Sequence, residues 1–322
     1  MKLKEKLTQS LTVAIFNTYD LKDLKVSTIK ANKEIRDDLI EELEDLSSEE
    51  TKRARLDFFK VRGAIANDYT ERCLKISDEK EFIYGIRNMG GNPEIPFIQI
   101  TPNFEINSKD EALRIYELIK HEFQIFSPLY LSFNSSKKVD ADFYGSIHMV
   151  ASIDALLEKE PWPDEDQISF EAINNDSYYE WYQNGYKEFH EETPNLKARV
   201  TLNSLCSMED SLEQGLLKYA IFEGERIGII AGERSNFLGH TGVYFHEIYI
   251  SKKWKGRGHA KLIQRKFIEI FCHDLNFVWG TIDSENLPSY KTAFSNGRRP
   301  IRYECFINLK SPLQPITSRD ES

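Results

Sequence analysis

The sequence predicts an α/β protein of the α+β kind, in which helices flank a mixed sheet. Three observations carry this. Short apolar or alternating runs, which suit strands, recur between longer runs with apolar residues at three- and four-residue spacing, which suit helices. The composition, 40% hydrophobic and 29% charged over 322 residues, is that of an ordinary globular chain. Near the C-terminal end, HEIYISKKWKGRGHAKLIQRKFIEIF (His246 to Phe271) runs from an alternating strand through a glycine-broken turn into a helix. The length suits two domains. We divide the chain into an N-terminal α/β domain (1–160), a second domain (166–310) and a tail (311–322).

The opening MKLKEKLTQSLTVAIF reads as the start of a helix or strand. IKANKEIRDDLIEELEDL and EETKRARLDFFKVRGAIANDYTERCLK read as amphipathic helices. EFIYGIRNMGGNPEIPFIQITPNFEI predicts two strands around a glycine–asparagine–proline turn. KDEALRIYELIKHEFQIF predicts a helix with Leu113, Ile115, Tyr116, Ile119 and Phe123 along one side, and PLYLSF a short buried strand. IDALLEK reads as a helix. EKEPWPDEDQ (Glu158 to Gln167) can continue neither helix nor strand, so it reads as a linker or exposed crossing.

Beyond it, ISFEAI is a strand, and DSYYEWYQNGYKEFHEE a helix capped by Asp176 or Ser177. SMEDSLEQGLL is a helix with Ser207 at its cap and Asp210 three residues on. YAIFEGERIGIIAGE is a hairpin turned by Glu223–Gly224, TGVYFHEIYI a long strand, and NFVWGTI another strand. LPSYKTAFSNG is a short helix and IRYECFINL a final strand. Both halves thus show a hairpin–helix–strand order.

Several classes are excluded or disfavoured. Cys73, Cys206, Cys272 and Cys305 are widely spaced and give neither a zinc pattern nor a dense disulfide framework, and no other metal site is read. The N-terminal apolar run (Leu11 to Phe16) lacks a cleavage site and reads as structure, not as a signal peptide. No run approaches the roughly 18–20 apolar residues of a membrane span. We therefore expect a cytoplasmic protein with no membrane partner. The net charge of −10 argues against wholesale nucleic-acid binding.

Against that acidic background, Ser251 to Lys266 holds Lys252, Lys253, Lys255, Arg257, Lys261, Arg265 and Lys266 and no acid. Gly256, Gly258 and Ala260 remove side-chain bulk where the backbone enters the helix. The first amides of a helix lack internal acceptors, and the helix dipole adds a positive field. A phosphate group suits that place, with Lys252, Lys253, Lys255, Arg257 and Lys261 supplying the field. GxxxxGK[ST] is absent, and Lys261 stands where a GxGxxG dinucleotide loop needs its third glycine.

What fits is [Q/R]xxGx[G/A], filled by Lys255, Gly258 and Ala260 with lysine in the first position. By this motif the C-terminal half, about Ile168 to Leu309, resembles the GNAT superfamily of N-acetyltransferases. The flanks agree: Ile248, Tyr249 and Ile250 end the preceding strand, and Asn286, Ser289 and Gly297 keep the family's downstream spacing. The resemblance implies an acyl-CoA N-acyltransferase fold with a centrally splayed sheet. It further implies acetyl-CoA or another acyl-CoA as co-substrate, and direct transfer to an amine of a small molecule or peptide. Coenzyme binding falls by that resemblance to Ile248, Ile250, Lys255, Gly256, Arg257, Gly258, His259, Ala260, Asn286 and Ser289. Asn286 also suits a helix cap.

Such a transfer needs a base for the amine, a donor for the carbonyl oxygen and an acid for the leaving thiolate. Glu247 and His246 are the candidate bases, and strict alternation puts them on opposite faces; the family's use of a glutamate on this strand favours Glu247. The resemblance places the oxygen's donor at a backbone N–H near Ile250. The family's tyrosine position is Ala293 here, so Tyr290, one helical turn earlier, is the substitute acid. Arg298 follows the glycine where the family often has phenylalanine; it suits a contact to coenzyme phosphate, a pairing with an acid or a place in solvent, and the last is the simplest reading. Tyr178, Tyr179, Trp181, Tyr182 and Tyr186 form either an acceptor-pocket wall or the packed face of a helix.

The N-terminal half reads as an unrelated domain or as a degenerate copy that has lost the coenzyme, since Asp110 and Glu111 stand where a diphosphate would lie. Two alternatives to an enzyme are a non-catalytic acyl-CoA-binding module and a nucleic-acid binder using KKWKGRGHAK. The sequence is compatible with a monomer or a homodimer.

Overall fold

The structure is a computed structural model and describes residues 2–197 and 200–309; the expected tail, 311–322, lies outside the described residues. The fold is mixed α+β, as the sequence predicts. The chain forms two compact units that interleave in sequence. One comprises Met1–Thr18, Arg36–Tyr144 and Glu304–Ser322, the other Tyr19–Ile35 and Gly145–Tyr303. Both units therefore draw on both halves of the chain.

The helices α1 (Lys2–Asn17), α2 (Thr28–Ser47) and α3 (Glu49–Phe59) come first. Ser48 caps α3 by accepting from the Thr51 amide. The long helix expected over residues 49–75 ends early, because Lys60 turns left-handed (φ 51°) and closes the Leu56 carbonyl. Its last residues instead form β1 (Arg72–Lys75). In the first unit β1 pairs antiparallel with β2 (Glu81–Asn88), and β2 with β3 (Pro96–Pro102). After α4 (Lys109–Ile119), the strand β4 (Tyr130–Ser135) runs parallel to β3 over three residue pairs only, Phe97–Tyr130 to Gln99–Ser132.

Strand β5 (Phe143–Ser152), which sequence patterning did not single out, leads into α5 (Ile153–Leu157). In the second unit, β6 (Ser169–Ala172), α6 (Tyr179–Glu192) and α7 (Glu209–Glu213) precede the main antiparallel strands. The caps differ from expectation. Asn175, not Asp176 or Ser177, accepts from the Ser177 amide, and Ser204, not Ser207, caps the turn before α7. Then follow β7 (Leu217–Phe222), β8 (Glu225–Arg234), β9 (Gly242–Ile250), α8 (His259–Phe271), β10 (Phe277–Asp283), α9 (Leu287–Ser295) and β11 (Arg299–Asn308). The hairpin turn is made by Glu223 and Gly224, both at positive φ, as its sequence predicts. Strands β6, β7, β8 and β9 are antiparallel neighbours, β9 is parallel to β10, and β10 is antiparallel to β5.

The two faces of this sheet bury different things. On one, Val243, Phe245 and Ile250 pack with Leu262, Ile263 and Phe267 of α8. On the other, Ile229, Ala231 and Tyr249 pack with Tyr178, Tyr182 and Tyr186 from α6 and its approach. The segment Glu158 to Gln167 is mostly exposed, as a crossing would be, but Trp162 and Glu165 tie it down. Glu165 and Arg265 form a buried ion pair at 2.5 Å, and Arg265 also donates to the Lys159 carbonyl at 2.6 Å. Trp162 donates to Asn296, whose own amide reaches the Lys261 carbonyl. Removing one partner of a buried pair strands the other charge. Glu165→Ala is therefore expected to cost about 3–5 kcal/mol, read as a lower denaturation midpoint with an unchanged slope.

Candidate active site

The site begins with a lost strand pairing. Strand β10 follows β9 only from Phe277–Gly242 to Trp279–Tyr244, while its pairing with β5 continues to Asp283–Ser146. From Phe245 onward β9 therefore has an open edge, which is the splay the sequence resemblance implies. The Ser251 amide donates to Ile227 of the β8 side at 2.8 Å. Antiparallel alternation then turns the amides of Ile248 and Ile250 toward the open edge. Ile248 donates to its neighbour's carboxylate, Glu247 Oε1, at 2.9 Å.

The β8–β9 register shifts within the same stretch. Ala231 lies opposite Glu247, but the next residue, Gly232, lies opposite Phe245. His246 is thus the extra residue of a β-bulge. The bulge corrects the expectation that His246 and Glu247 point to opposite faces. Both side chains stand on the α6 face: His246 bonds Glu233 at 2.7 Å, and Glu247 meets the α6 tyrosines. A bulge has no residue signature in this strand, so alternation predicts the wrong face.

Glu247 is held from several sides. Tyr182 and Tyr186 donate to Oε2 at 2.5 and 2.6 Å, and the Asn203 side chain donates at 3.4 Å. Burial pushes the carboxyl above its ordinary range, against the pull of the Tyr182, Tyr186, Ile248 and Asn203 hydrogen bonds. The same burial, with the neighbouring carboxylate, pushes both phenols upward, so they stay protonated donors. Of the two readings of the aromatic helix, the structure shows the packed face. It is packed against the sheet, and two of its hydroxyls, spaced i and i+4, converge on one carboxylate. Asn203, in the loop after α6, was missed, and a lone asparagine in a loop gives no signal.

Removing either hydroxyl removes a bond that stabilises the charged form. Tyr182→Phe and Tyr186→Phe are each expected to raise the pH at which the Glu247 carboxyl titrates, followed by the side-chain carbon resonance of isotope-labelled protein. A midpoint that stays in place in both variants would contradict that role.

The turn after β9 presents its backbone openly. Gly256 and Gly258 have φ of 77° and 84°, in the left-handed region that favours glycine. A Cβ at Gly256 would meet nothing within 4 Å, and one at Gly258 only the end of Lys261 at 3.5 Å. Gly258 caps α8 without a side-chain bond. Among the described residues, none of the amides of Gly256, Arg257, Gly258, His259 and Ala260 donates to a protein acceptor; the next, Lys261, bonds the Gly258 carbonyl at 3.2 Å. Such amides, at the positive end of a helix, suit an anion. The contrast with α4 is direct. There Ser108 accepts from the Glu111 amide at 3.2 Å and the Glu111 carboxylate takes the Asn107 amide at 3.0 Å, so the protein's own side chains already occupy that helix start.

Not all of the expected cations are available. Lys252 pairs with Glu192 and Lys253 with Glu225. Among the described residues, Lys255, Arg257 and Lys261 form no ion pair and lie over the rings of Phe189, Trp254 and Trp162. The His259 side chain is buried against Phe222 and Trp254, so only its backbone faces the turn, while Ala260 packs on the core.

On the far side, Asn286 is the cap of α9 and accepts from the Ser289 amide at 3.3 Å, the structural role the sequence allowed. Ala293 is fully buried, and Tyr290 stacks on Phe294, which is 59% exposed. Arg298 departs from expectation: it is only 4% exposed, beneath the ring of Phe245. Among the described residues no group of His, Cys, Asp or Glu could hold a metal ion, and no helix is long and apolar enough to cross a membrane. The four cysteines form no disulfide.

No protein-family model matches the chain, and no curated protein matches it. Among the solved structures it resembles are GCN5-related N-acetyltransferases. One, from Sphaerobacter thermophilus, is 12% identical with a TM-score of 0.42, over 72% of this chain and 81% of that one. Another, from Kribbella flavida, is 8% identical with a TM-score of 0.42, over 82% and 96%. Arabidopsis thaliana Naa50, solved with a bisubstrate analogue of CoA and a peptide, is 13% identical with a TM-score of 0.32, over 45% and 99%. The values are low, and the functional reading rests instead on the residues described above.

Proposed function

We propose that the protein is an N-acyltransferase that moves an acetyl or other acyl group from a coenzyme A thioester to an amine of a small molecule or peptide. The observation that carries this is the row of amides from Gly256 to Ala260, unpartnered among the described residues, beside Lys255, Arg257 and Lys261, which form no ion pair among those residues. They open a helix directly after the strand that holds a buried carboxylate. In this reading the diphosphate of the thioester carrier lies on those amides, with Asn286 and Ser289 beside its arm. The Ile250 amide, facing the open edge of β9, receives the thioester oxygen as charge develops.

Glu247 takes the proton of the attacking amine. Its raised carboxyl lies closer to neutral pH than an ordinary glutamate, which suits a base. The thiolate's proton falls to Tyr290. The reading also places the protein in a reducing, cytoplasmic setting. It treats the first unit as a copy whose helix start has been closed to phosphate.

A second reading, a binding module without turnover, is favoured by one observation: the buried Ala293 offers no acid, and Tyr290 stacks on an exposed ring. Thiol release from acetyl-coenzyme A, followed with a broad panel of amines, separates the two. Free thiol formed together with an amide supports the transferase. Tight coenzyme binding with no thiol from any amine would leave only the module.

A further inference from the structure

The stretch Tyr19–Ile35 belongs to the second unit, and its residues 19–27 form a strap whose two ends are held by different chemistry. At the first end the Asp20 amide donates to the Ile301 carbonyl at 2.7 Å, a backbone bond with no titrating member. Arg299 pairs there with Asp20 and Asp23, and Arg302 donates to the Tyr19 hydroxyl at 2.7 Å. At the other end the amide of Ser27 donates to Nε2 of His240 at 2.9 Å. Ser27 opens α2: its carbonyl accepts from the Ala31 amide at 2.9 Å and its hydroxyl from the Lys30 amide at 3.5 Å. A ring nitrogen that accepts an N–H carries no proton of its own, so this bond exists only while the imidazole is neutral.

The fold builds His240 into place. Phe237 and His240 exchange backbone bonds of 2.8 and 3.1 Å around a turn whose central residues, Leu238 and Gly239, have φ of 50° and 76°. Leucine is strained in that region. A Cβ at Gly239 would lie 2.7 Å from the Lys30 Cβ and 2.8 Å from the Lys30 carbonyl oxygen, so the turn sits directly on the first turn of α2. The imidazole also meets the Phe277 ring at 5.7 Å. Among the described residues the charged groups acting on it are Lys30 and Glu34. Burial first, and Lys30 next, hold its pKa below the ordinary histidine value, against the pull of Glu34.

The strap borders the sheet face that carries Glu247. A row of rings connects them, with centres 6.5 Å apart from Tyr19 to Phe237, 5.8 Å to Trp279, 4.8 Å to Tyr244 and 5.0 Å to His246. Tyr244 alternates with Phe245, which packs under α8, so this row lies on the α6 side.

We propose that His240 is a pH-operated latch on this strap. Neutral, it holds the start of α2 against the β8–β9 turn. Protonated, it donates from both ring nitrogens, loses the Ser27 amide and faces the Lys30 ammonium as a like charge. The α2 end of the strap then lifts from the face beside Glu247, while the Asp20 end stays. The latch's stabilisation is complete above the ordinary histidine range and is lost as pH falls from that range through the folded value. The latch does not depend on the acyl-transfer reading.

Amide exchange, expressed as protection factors so that its intrinsic pH dependence cancels, tests this together with the imidazole carbon resonances of labelled protein. Protection of the Ser27 amide is expected to fall about five- to tenfold with the midpoint of the His240 titration, and protection of the Asp20 amide to stay. His240→Gln, whose carbonyl takes the amide at any pH, should keep Ser27 protected throughout. His240→Phe, which keeps a ring against Phe277 and offers no acceptor, should leave Ser27 unprotected at every pH. Ser27 protection that ignores the His240 midpoint overturns the proposal. The same fall in the glutamine variant overturns it too, as does a parallel loss at Asp20, the mark of general acid unfolding.

Discussion

Glu247→Gln is expected to lower kcat by about two to four orders of magnitude and to remove the acidic limb of the pH–rate profile. The carboxylate must be ionised to accept the amine's proton, and burial raises its pKa. The wild-type rate should therefore climb with pH through a range above that of an ordinary glutamate, and the glutamine variant should show no such climb. Stability moves the other way. A carboxyl whose folded pKa exceeds its unfolded value stabilises the fold in acid, and loses that contribution as pH rises from the ordinary carboxylate range through the folded value. The variant should thus lose less stability than the wild type over that interval. Glutamine keeps an acceptor for Tyr182 and Tyr186, so the local packing survives. An unaltered rate across pH would remove Glu247 as the base and turn attention to His246, which the bulge places on the same face.

Gly258→Val is expected to weaken coenzyme A binding by about 100-fold or more. The Cβ would project where the backbone is open, and the branched side chain would stand over the amides of a bound diphosphate. Valine at a φ of 84° is also strained, so the loss needs a control. Gly224 supplies one: its φ is 78°, a Cβ added there would meet nothing within 4 Å, and it lies in the β7–β8 hairpin turn. Gly224→Val should destabilise the fold to a similar extent and leave coenzyme affinity intact. Equal binding losses in the two variants would assign the effect to strain and not to the turn.

Much of the second unit was legible because its patterns are local. The Glu223–Gly224 turn, the alternation of β9, the amphipathic α8 and the glycines at 256 and 258 each follow from neighbouring residues. What sequence reasoning missed depends on long-range partners. Strand β5 gains its place by pairing with β10, which lies far along the chain. The bulge at His246 arises from register against β8. Lys252 and Lys253 read as part of an anion site until Glu192 and Glu225 are seen to hold them. Glu165, in a segment that reads as solvent-exposed, is buried because Arg265 meets it there. The convergence of Tyr182, Tyr186 and Asn203 on Glu247 joins three elements, of which only the tyrosine spacing was visible in advance. Arg298 followed a glycine in a polar stretch, and nothing adjacent announced that it turns inward.

The most direct test follows backbone amide resonances of isotope-labelled protein during titration with coenzyme A. The amides of Gly256, Arg257, Gly258, His259 and Ala260 are expected to respond together and saturate with the binding curve. Binding that leaves those five amides unmoved while others shift would contradict the proposed function.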